Sequence, residues 1–580
     1  MDVEIFYVLV GSVIVAAIAR WRGWPAPLLV TVVALAVSFI PAVPNLRIDG
    51  HVLLNLVLPP LLYSASLDVS FVGFRRALPQ IRRLGVGLVV VTTAAVGLVA
   101  WLLMPALTLP GALLLGAIVA PPDAVSAAAI GRRLGLPRRV MTVLSGESLI
   151  NDATSLTLYR VFAAIVAGVT VTVWDGIWQF ALAVVVGVGI GVLSGLAMHQ
   201  LRMRISDPTV IGTFGLLAPF GVYAITEHLQ GSGVLGVVAM GLVVGFNGPR
   251  TSYATRMQET PLWASADFLL ESFVFGYIGL QLPPVIGELG ATHVGGVLGL
   301  SAAVLGVVLV VRPLFVYPAS MWGRLWRQLK LRRFERAVAT GRFDRRADAV
   351  AEKRRRRGEP AARPTEAQLR RELVESSLGW RENAVISWAG MRGVVTLATA
   401  LAAADLGDLD EAASHAIVVV AFVVTVGTLL LQGLTLPALI RGLGVADVSD
   451  EEEADRRQLE QVRARTREAG KVYLADRRAG WEKEHGSAAL AGFDRFAQRF
   501  TRVERDTERG QRDEDRLPRP SRDELVGLSK GWLQVRRDVL IAERDAGELN
   551  EEVMRELIHA MDAEELALDT RMTGGSDPAH

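Results

Sequence analysis

Leu144–Leu156, LSGESLINDATSL, sets two carboxylates, Glu147 and Asp152, and an asparagine, Asn151, into a run that otherwise reads as a membrane helix. Ionisable groups at membrane depth are expensive and face a bundle interior or a water-filled path rather than lipid. The surroundings of the stretch decide which. The chain has 580 residues, 51% hydrophobic yet 21% charged, a mixture that predicts two regimes joined end to end. Apolar runs of seventeen or more residues recur from the N-terminus to about Ile440, each long enough to cross about 30 Å of hydrocarbon. The chain then turns polar. A net charge of +2 gives nucleic-acid binding no support, and zero cysteines exclude disulfides and thiolate metal sites. The first run, 3–19, lacks a basic leader and is followed by Arg20 and Arg22, so it reads as a retained span.

The pattern predicts thirteen spans: 3–19, 25–43, 51–67, 84–107, 110–130, 140–168, 174–199, 208–228, 232–246, 262–282, 292–320, 383–403 and 413–440. Arginine in the connections tests their direction, because short cytoplasmic loops retain positive charge. Alternate connections carry fourteen arginines (20, 22, 75, 76, 82, 83, 132, 133, 138, 139, 202, 204, 250 and 256), against Arg47 alone in the opposite ones. The expected topology is N-terminus outside and C-terminus cytoplasmic. One helix followed by two six-span halves, 25–199 and 208–440, makes the halves inverted. Inverted halves are common in secondary transporters, whose sites lie where discontinuous helices meet. One span of each half is interrupted at mid-depth beside a charge, at AIVAPPDAV (117–125) and WAGMRGVV (388–395). The fold expectation is an all-α polytopic membrane protein with two crossed broken helices. A transmembrane domain would occupy 1–440, with a cytoplasmic basic insert at about 324–381, and a cytoplasmic helical tail would follow at 441–580.

On a helix, residues four apart share a face. Ser148 and Asp152 therefore line one stripe, and Glu147 and Asn151 the next. Asp152 can be neutralised by a proton, a cation or an arginine. One carboxylate that holds either H+ or Na+, never both, suffices to couple an exchange. Further oxygen ligands are at hand in the Ser148 hydroxyl and the carbonyls of the APPD segment, Pro122 among them. A purely structural pairing of Asp152 with Arg160, Arg312 or Arg392 remains open on these residues alone. Arg312 is assigned to Glu147 as a buried pair, Asp123 and Arg392 to the half-helix termini, and Arg160 has no evident partner.

Other features read plainly. GVGIGVLSG (187–195) lies inside a span and is small-residue helix packing rather than a dinucleotide loop. The eight histidines show no metal-ligand spacing, no cofactor is expected, and RRRR (354–357) reads as a solvated loop. The tail alternates charge at helical spacing around LPRPS (517–521), with no catalytic, metal or nucleotide motif.

By GESLINDATSL and, in chain order, LPPLLYSASL (58–67), APPDAVSA, EHLQGSGVLGVVAMGL (227–242), FLLESFVFGYIGLQL (268–282) and WAGMRGVVTLATAL (388–401), residues 1–440 resemble the monovalent cation/proton antiporter-1 family. The resemblance implies that Asp152 is the ion- and proton-binding carboxylate, Asn151 its partner steadying the crossing, and Ser148 an ion ligand. It implies that Glu147 pairs with Arg312, and that Asp123 and Arg392 are the charges of the two unwound spans. It further implies a homodimer in the plasma membrane. The expected activity is Na+ (or Li+) exchange for H+, electroneutral because an Asn-Asp pair stands where relatives have Asp-Asp, serving pH and sodium homeostasis. Two departures bear on the cation. Pro122-Asp123-Ala124 stands where many relatives read Thr-Asp-Pro, and Ser64 where many carry a carboxylate. Both reduce oxygen charge near the site, so K+/H+ antiport stays a rival. From a different class, an intramembrane aspartyl hydrolase would use Asp123 and Asp152 as its pair.

Overall fold

The computed structural model describes residues 3–40, 48–170, 172–205, 207–281, 294–356, 378–404, 410–446, 449–487 and 522–573, with positions 366, 370, 406, 490, 491, 493, 494 and 497. Most of the expected insert beyond 356, and LPRPS, lie outside the described residues. Among them every regular element is helical. Contacts divide the chain into two compact units, Met1–Val448 and Ser449–His580.

The first unit opens with α1 (Val3–Arg22) and α2 (Ala26–Val37), parted by Gly23 at φ +66°. Next come α3 (Gly50–Leu56), α4 (Leu58–Asp68) and α5 (Phe71–Arg82), the last started by Ser70, whose hydroxyl accepts from Gly73 N at 3.0 Å. A π-helical turn, Arg83–Leu88, leads into α6 (Val89–Leu103). Then follow α7 (Thr108–Val119), α8 (Ala124–Arg133), α9 (Arg138–Val166), α10 (Val173–Arg204), α11 (Pro208–His228), α12 (Gly233–Asn247) and α13 (Tyr253–Leu280). Short polar caps fix where the apolar runs begin. Thr172 and Asp175 form a reciprocal capping box on α10, and Asp207, Ser232 and Ser252 cap α11, α12 and α13. The unit closes with α14 (Val294–Ala339), α15 (Arg342–Arg356), α16 (Trp380–Trp388), α17 (Val394–Ala404) and α18 (Glu411–Leu443), the last ended by Gly444 in the left-handed region.

Nine helical stretches among the described residues are long and apolar enough to cross a membrane, α3 with α4 and α5 with α6 each counting as one, and three shorter apolar helices accompany them. The spans 110–130 and 383–403 are each a pair of half-helices, with non-helical backbone at 120–123 and 389–393, where the sequence placed the interruptions. One difference from the expected spans matters. The span expected to end near 320 instead continues as one helix of 46 residues, about 69 Å at 1.5 Å per residue. Past Pro318 the chain is rich in Arg and Leu, good helix formers, so helix persists where hydropathy stops. The expected insert thus begins as helix.

Helix α9 is buried along most of its length and packs on α5, the π turn, α7 and α8. Gly85 in the π turn makes that approach possible. A Cβ there would lie 2.8 Å from the Ile150 Cβ and 3.3 Å from Asn151 N. In the second unit α19 (Ser449–His485), α20 (Arg522–Asp545) and α21 (Glu551–Thr573) enclose Val462, Leu533, Leu540, Leu557 and Met561. Arg537 is buried there between Asp562, at 2.8 Å, and Glu565, at 2.6 Å.

Candidate functional site

The two broken spans meet at their breaks. Asp123 N donates to the Met391 carbonyl at 2.6 Å, so the backbones touch at the crossing. Gly393 allows it, since a Cβ at that position would fall 2.7 Å from the Asp123 Cβ. Breaking a helix inside a membrane frees carbonyls that must be satisfied by protein. The Arg392 guanidinium does this across the crossing. Its Nε donates to the Val119 carbonyl at 3.0 Å and its Nη2 to that of Ala120 at 3.3 Å, the last carbonyls of α7. A cation at the C-terminal end of a half-helix and a carboxylate, Asp123, just ahead of the N-terminus of α8 both oppose the local dipoles. Asp123 accepts from the Ser126 hydroxyl at 3.2 Å, and Arg392 N donates to the Thr428 hydroxyl at 3.0 Å.

Helix α9 lays its polar stripe against this crossing. The Asn151 amide, fully buried, donates to the Pro122 carbonyl at 2.8 Å, while its own Oδ1 is buried without a hydrogen-bond donor. One turn later the Ser155 hydroxyl donates to the Ala117 carbonyl at 2.7 Å. One turn earlier Glu147 receives both terminal nitrogens of Arg312, at 2.6 and 3.0 Å, with both side chains 3% exposed or less. Arg312 Nε also donates to the Ile386 carbonyl at 3.0 Å, so one guanidinium joins α9, α14 and α16.

Asp152 stands on the adjacent stripe. It is 7% exposed, accepts no hydrogen bond from any described residue, and has Asp123 as its charged neighbour. Ser148, half-buried, lies one turn before it on the same face. Arg160 does not reach Asp152. It pairs with Glu227 on α11 and lies 3.4 Å from the Gly231 carbonyl. The structure therefore gathers Glu147, Asn151, Asp152, Pro122, Asp123, Arg312 and Arg392 around one crossing and leaves Arg160 outside it.

Several participants escaped the sequence reading. Ser155 continues the 147/151 stripe by one more turn, so its spacing carried a signal. Thr428 and Thr396, the latter buried with an unpartnered hydroxyl at the start of α17, carried none. Ser64, noted for lacking a carboxylate, donates to the carboxylate of Asp267 on α13. Asp267 neighbours Asp68 and Glu271, and Glu271 in turn has Asp123 within electrostatic reach. Asp68, Asp267, Glu271, Asp123 and Asp152 are thus linked pairwise as charged neighbours, with Arg132 and Arg20 also in reach of Glu271.

Residues 5–442 match the family model described as sodium/hydrogen exchanger, transmembrane. An uncharacterized Na+/H+ exchanger of Mycobacterium tuberculosis is 31% identical over 97% of this chain and 95% of its own. The Na+/H+ antiporter ApNhaP of Aphanothece halophytica is 27% identical over 73% of this chain and 71% of its own. In architecture the chain is similar to the sodium proton antiporter MjNhaP1 of Methanocaldococcus jannaschii, with TM-score 0.53 at 16% identity over 76% of this chain and 97% of that one. With a family model covering three quarters of its length and a relative matched nearly end to end, the chain belongs to the sodium/hydrogen exchanger family of membrane transporters.

Proposed function

We propose that this transporter exchanges Na+ (or Li+) for H+ one for one, with Asp152 as the alternating carrier of cation and proton. One observation carries the reading. Asp152 is a buried carboxylate that no described side chain or backbone group satisfies, set beside a crossing where the other charges are held. Burying an uncompensated charge is costly, so the group takes up a proton or a cation. Ser148 and the Pro122 carbonyl stand ready as neutral oxygen ligands, and the Asn151 amide steadies the crossing through Pro122. Glu147, Arg312, Asp123 and Arg392 are the fixed charges of the frame. Among the described residues no three of His, Asp and Glu cluster as metal ligands. Such a ligand set suits a monovalent cargo better than a tightly held divalent one.

The wider reading is part of the same proposal. Thirteen crossings in one plus six plus six order, with inverted halves, put the N-terminus outside and the tail in the cytoplasm. The chain works as a homodimer in the plasma membrane, in pH and sodium homeostasis, and the second unit regulates it. The acidic series from Asp68 to Glu271 supplies the cation's route. Membership of a transporter family removes the aspartyl hydrolase from contention. K+ is the rival cargo, favoured by the loss of oxygen charge at Pro122 and Ser64.

The test is proton flux in proteoliposomes holding a luminal pH dye, with Na+, Li+, K+ or choline added outside, for wild type and Asp152→Asn. A cation-driven pH change with Na+ and Li+ leading, unaffected by clamping the membrane potential and absent from folded Asp152→Asn, is expected. K+ in the lead would change the cargo. Undiminished flux in Asp152→Asn would remove Asp152 from the carrier role.

A further inference from the structure

A cleft away from the ion site opens between the π turn, α14 and α16, enclosing about 440 Å³ with solvent at its mouth included. Three guanidiniums line it, those of Arg83, Arg324 and Arg327, and among the described residues no carboxylate stands in its lining. Like charges do not gather in a half-buried cleft without compensation, because each raises the cost of the others. Two of the three are anchored by backbone. Arg83 donates through Nη1 to the Ala319 carbonyl at 2.7 Å and through Nε to that of Pro79 at 2.9 Å. Arg324 donates through Nη2 to the Leu378 carbonyl at 2.9 Å. Arg327 donates to no described residue, and its charged neighbours are Arg324 and Arg83. The nearby carboxylate Glu382 is engaged by Arg139 at 2.6 Å and by Gly379 N.

Two further features make the cleft a built one. Asn383, 1% exposed, lines it with an amide nitrogen that donates to no described residue. Gly323 leaves the space that the Arg83 guanidinium occupies, since a Cβ there would fall 2.6 Å from Nη1. One guanidinium with no described acceptor, two more held only by backbone carbonyls and a buried N–H donor line one space, and no described carboxylate balances their charge, so they call for an anion rich in oxygens. Phosphate fits, because guanidinium binds it through two parallel N–H donors.

Depth says where such a phosphate would come from. Arg324 lies thirty residues beyond Val294 on α14, about 45 Å along the axis, which is the thickness of a bilayer with its headgroups. Trp322 and Trp326, 60% and 47% exposed, flank it on the same helix, as interfacial aromatics do. We propose that Arg83, Arg324, Arg327 and Asn383 form a binding site for a phosphate group at the headgroup level, filled by an anionic phospholipid. Because Asn383 and Ile386 both line the cleft and lie on α16, the half-helix leading to the 389–393 break, a bound headgroup braces that half-helix.

The test is calorimetric titration of the full-length protein, in zwitterionic detergent, with dioctanoyl phosphatidylglycerol, dioctanoyl phosphatidylcholine and inorganic phosphate. Wild type, Arg327→Gln, Arg324→Gln/Arg327→Gln and the near-isosteric Asn383→Asp are compared with Arg332→Gln/Arg333→Gln. That control pair removes two exposed charges from the same helix outside the cleft. The expected result is binding of the glycerol lipid, weakened tenfold or more in each cleft variant that elutes as folded protein and less than twofold in the control. Inorganic phosphate that displaces the lipid at millimolar concentration would keep the phosphate site and make a free anion its second source. Equal weakening in the control pair, equal binding of the choline lipid, or no anion binding at all would overturn the proposal.

Discussion

Removing either partner of the Glu147–Arg312 pair is the sharpest test of how the frame around Asp152 is held. The two side chains are 2% and 3% exposed, so neither can turn to water when its partner goes. Arg312→Gln strips Glu147 of two donors, at 2.6 and 3.0 Å, and the Ile386 carbonyl of a third. Leaving one charge of a buried pair uncompensated costs about 3–5 kcal/mol, and the orphaned carbonyl adds about 1 kcal/mol. Glu147→Gln is expected to cost at least as much, because Arg312 and Glu147 are both charged neighbours of Arg392, and losing the anion leaves two guanidiniums facing each other. The double variant Glu147→Leu/Arg312→Leu should recover most of the loss, since replacing both ions by apolar groups is close to neutral. Equilibrium unfolding in mixed micelles reads these differences, and wild type, Glu147→Leu, Arg312→Leu and their double variant close a double-mutant cycle. Single variants within about 1 kcal/mol of wild type, or a double variant as unstable as the two singles added together, would refute the claim that this pair, as a unit, ties α9 to α14 and α16.

Three further perturbations follow from the same geometry. Asn151→Ala removes the only described donor to the Pro122 carbonyl and should lower stability by about 1–3 kcal/mol, seen as a lower unfolding midpoint in micelles. Gly393→Ala drives a methyl to 2.7 Å from the Asp123 Cβ, and overpacking of this kind costs about 1–3 kcal/mol. Cation-driven flux should fall with it while Gly442→Ala, open on all sides, stays like wild type. In the tail, the Arg478 guanidinium holds the Asp494 carboxyl below its ordinary range through contacts of 2.6 and 3.0 Å. A depressed carboxylate stabilises above its unfolded pKa, near 4, and the benefit goes as pH falls through the lower folded value. The urea midpoint of residues 449–580 should exceed that of Asp494→Asn at pH 6, with the gap closing as pH drops below about 4.

What could be read from the chain was whatever contrasts with its immediate neighbours. Glu147, Asn151 and Asp152 stand out because the residues around them are apolar, and a spacing of four places them on stripes without any knowledge of the fold. The two breaks stand out because Pro121-Pro122 and Gly390-Met391-Arg392-Gly393 interrupt apolar runs. Partners across long loops had no such signal. Glu227 lies 67 residues from Arg160, and Asp267 lies 203 residues from Ser64, distances over which periodicity says nothing. The run-on of α14 was missed for a different reason. Hydropathy marks where a helix leaves lipid, whereas hydrogen-bonding continuity and propensity decide where it ends.

The proposed stoichiometry can be argued from charge at the crossing. Glu147 is neutralised by Arg312, and Arg392 sits among carbonyls at the break whose other strand carries Asp123. Three carboxylates and two guanidiniums therefore share the region, leaving one negative charge unmatched. Asp152 is where it falls, because that carboxylate alone among the five charged groups has neither an ion-pair partner nor a hydrogen bond from the described residues. A buried deficit of one charge is met by one proton or by one monovalent cation, and the two states are then equally neutral. On the proposed one-for-one exchange, a site that crosses the membrane in either state would carry no net charge, and the membrane potential would give neither direction an advantage. On this reading a transport current that scales with voltage would require a second titrating group. Glu271, within electrostatic reach of Asp123, is the first candidate to replace by glutamine.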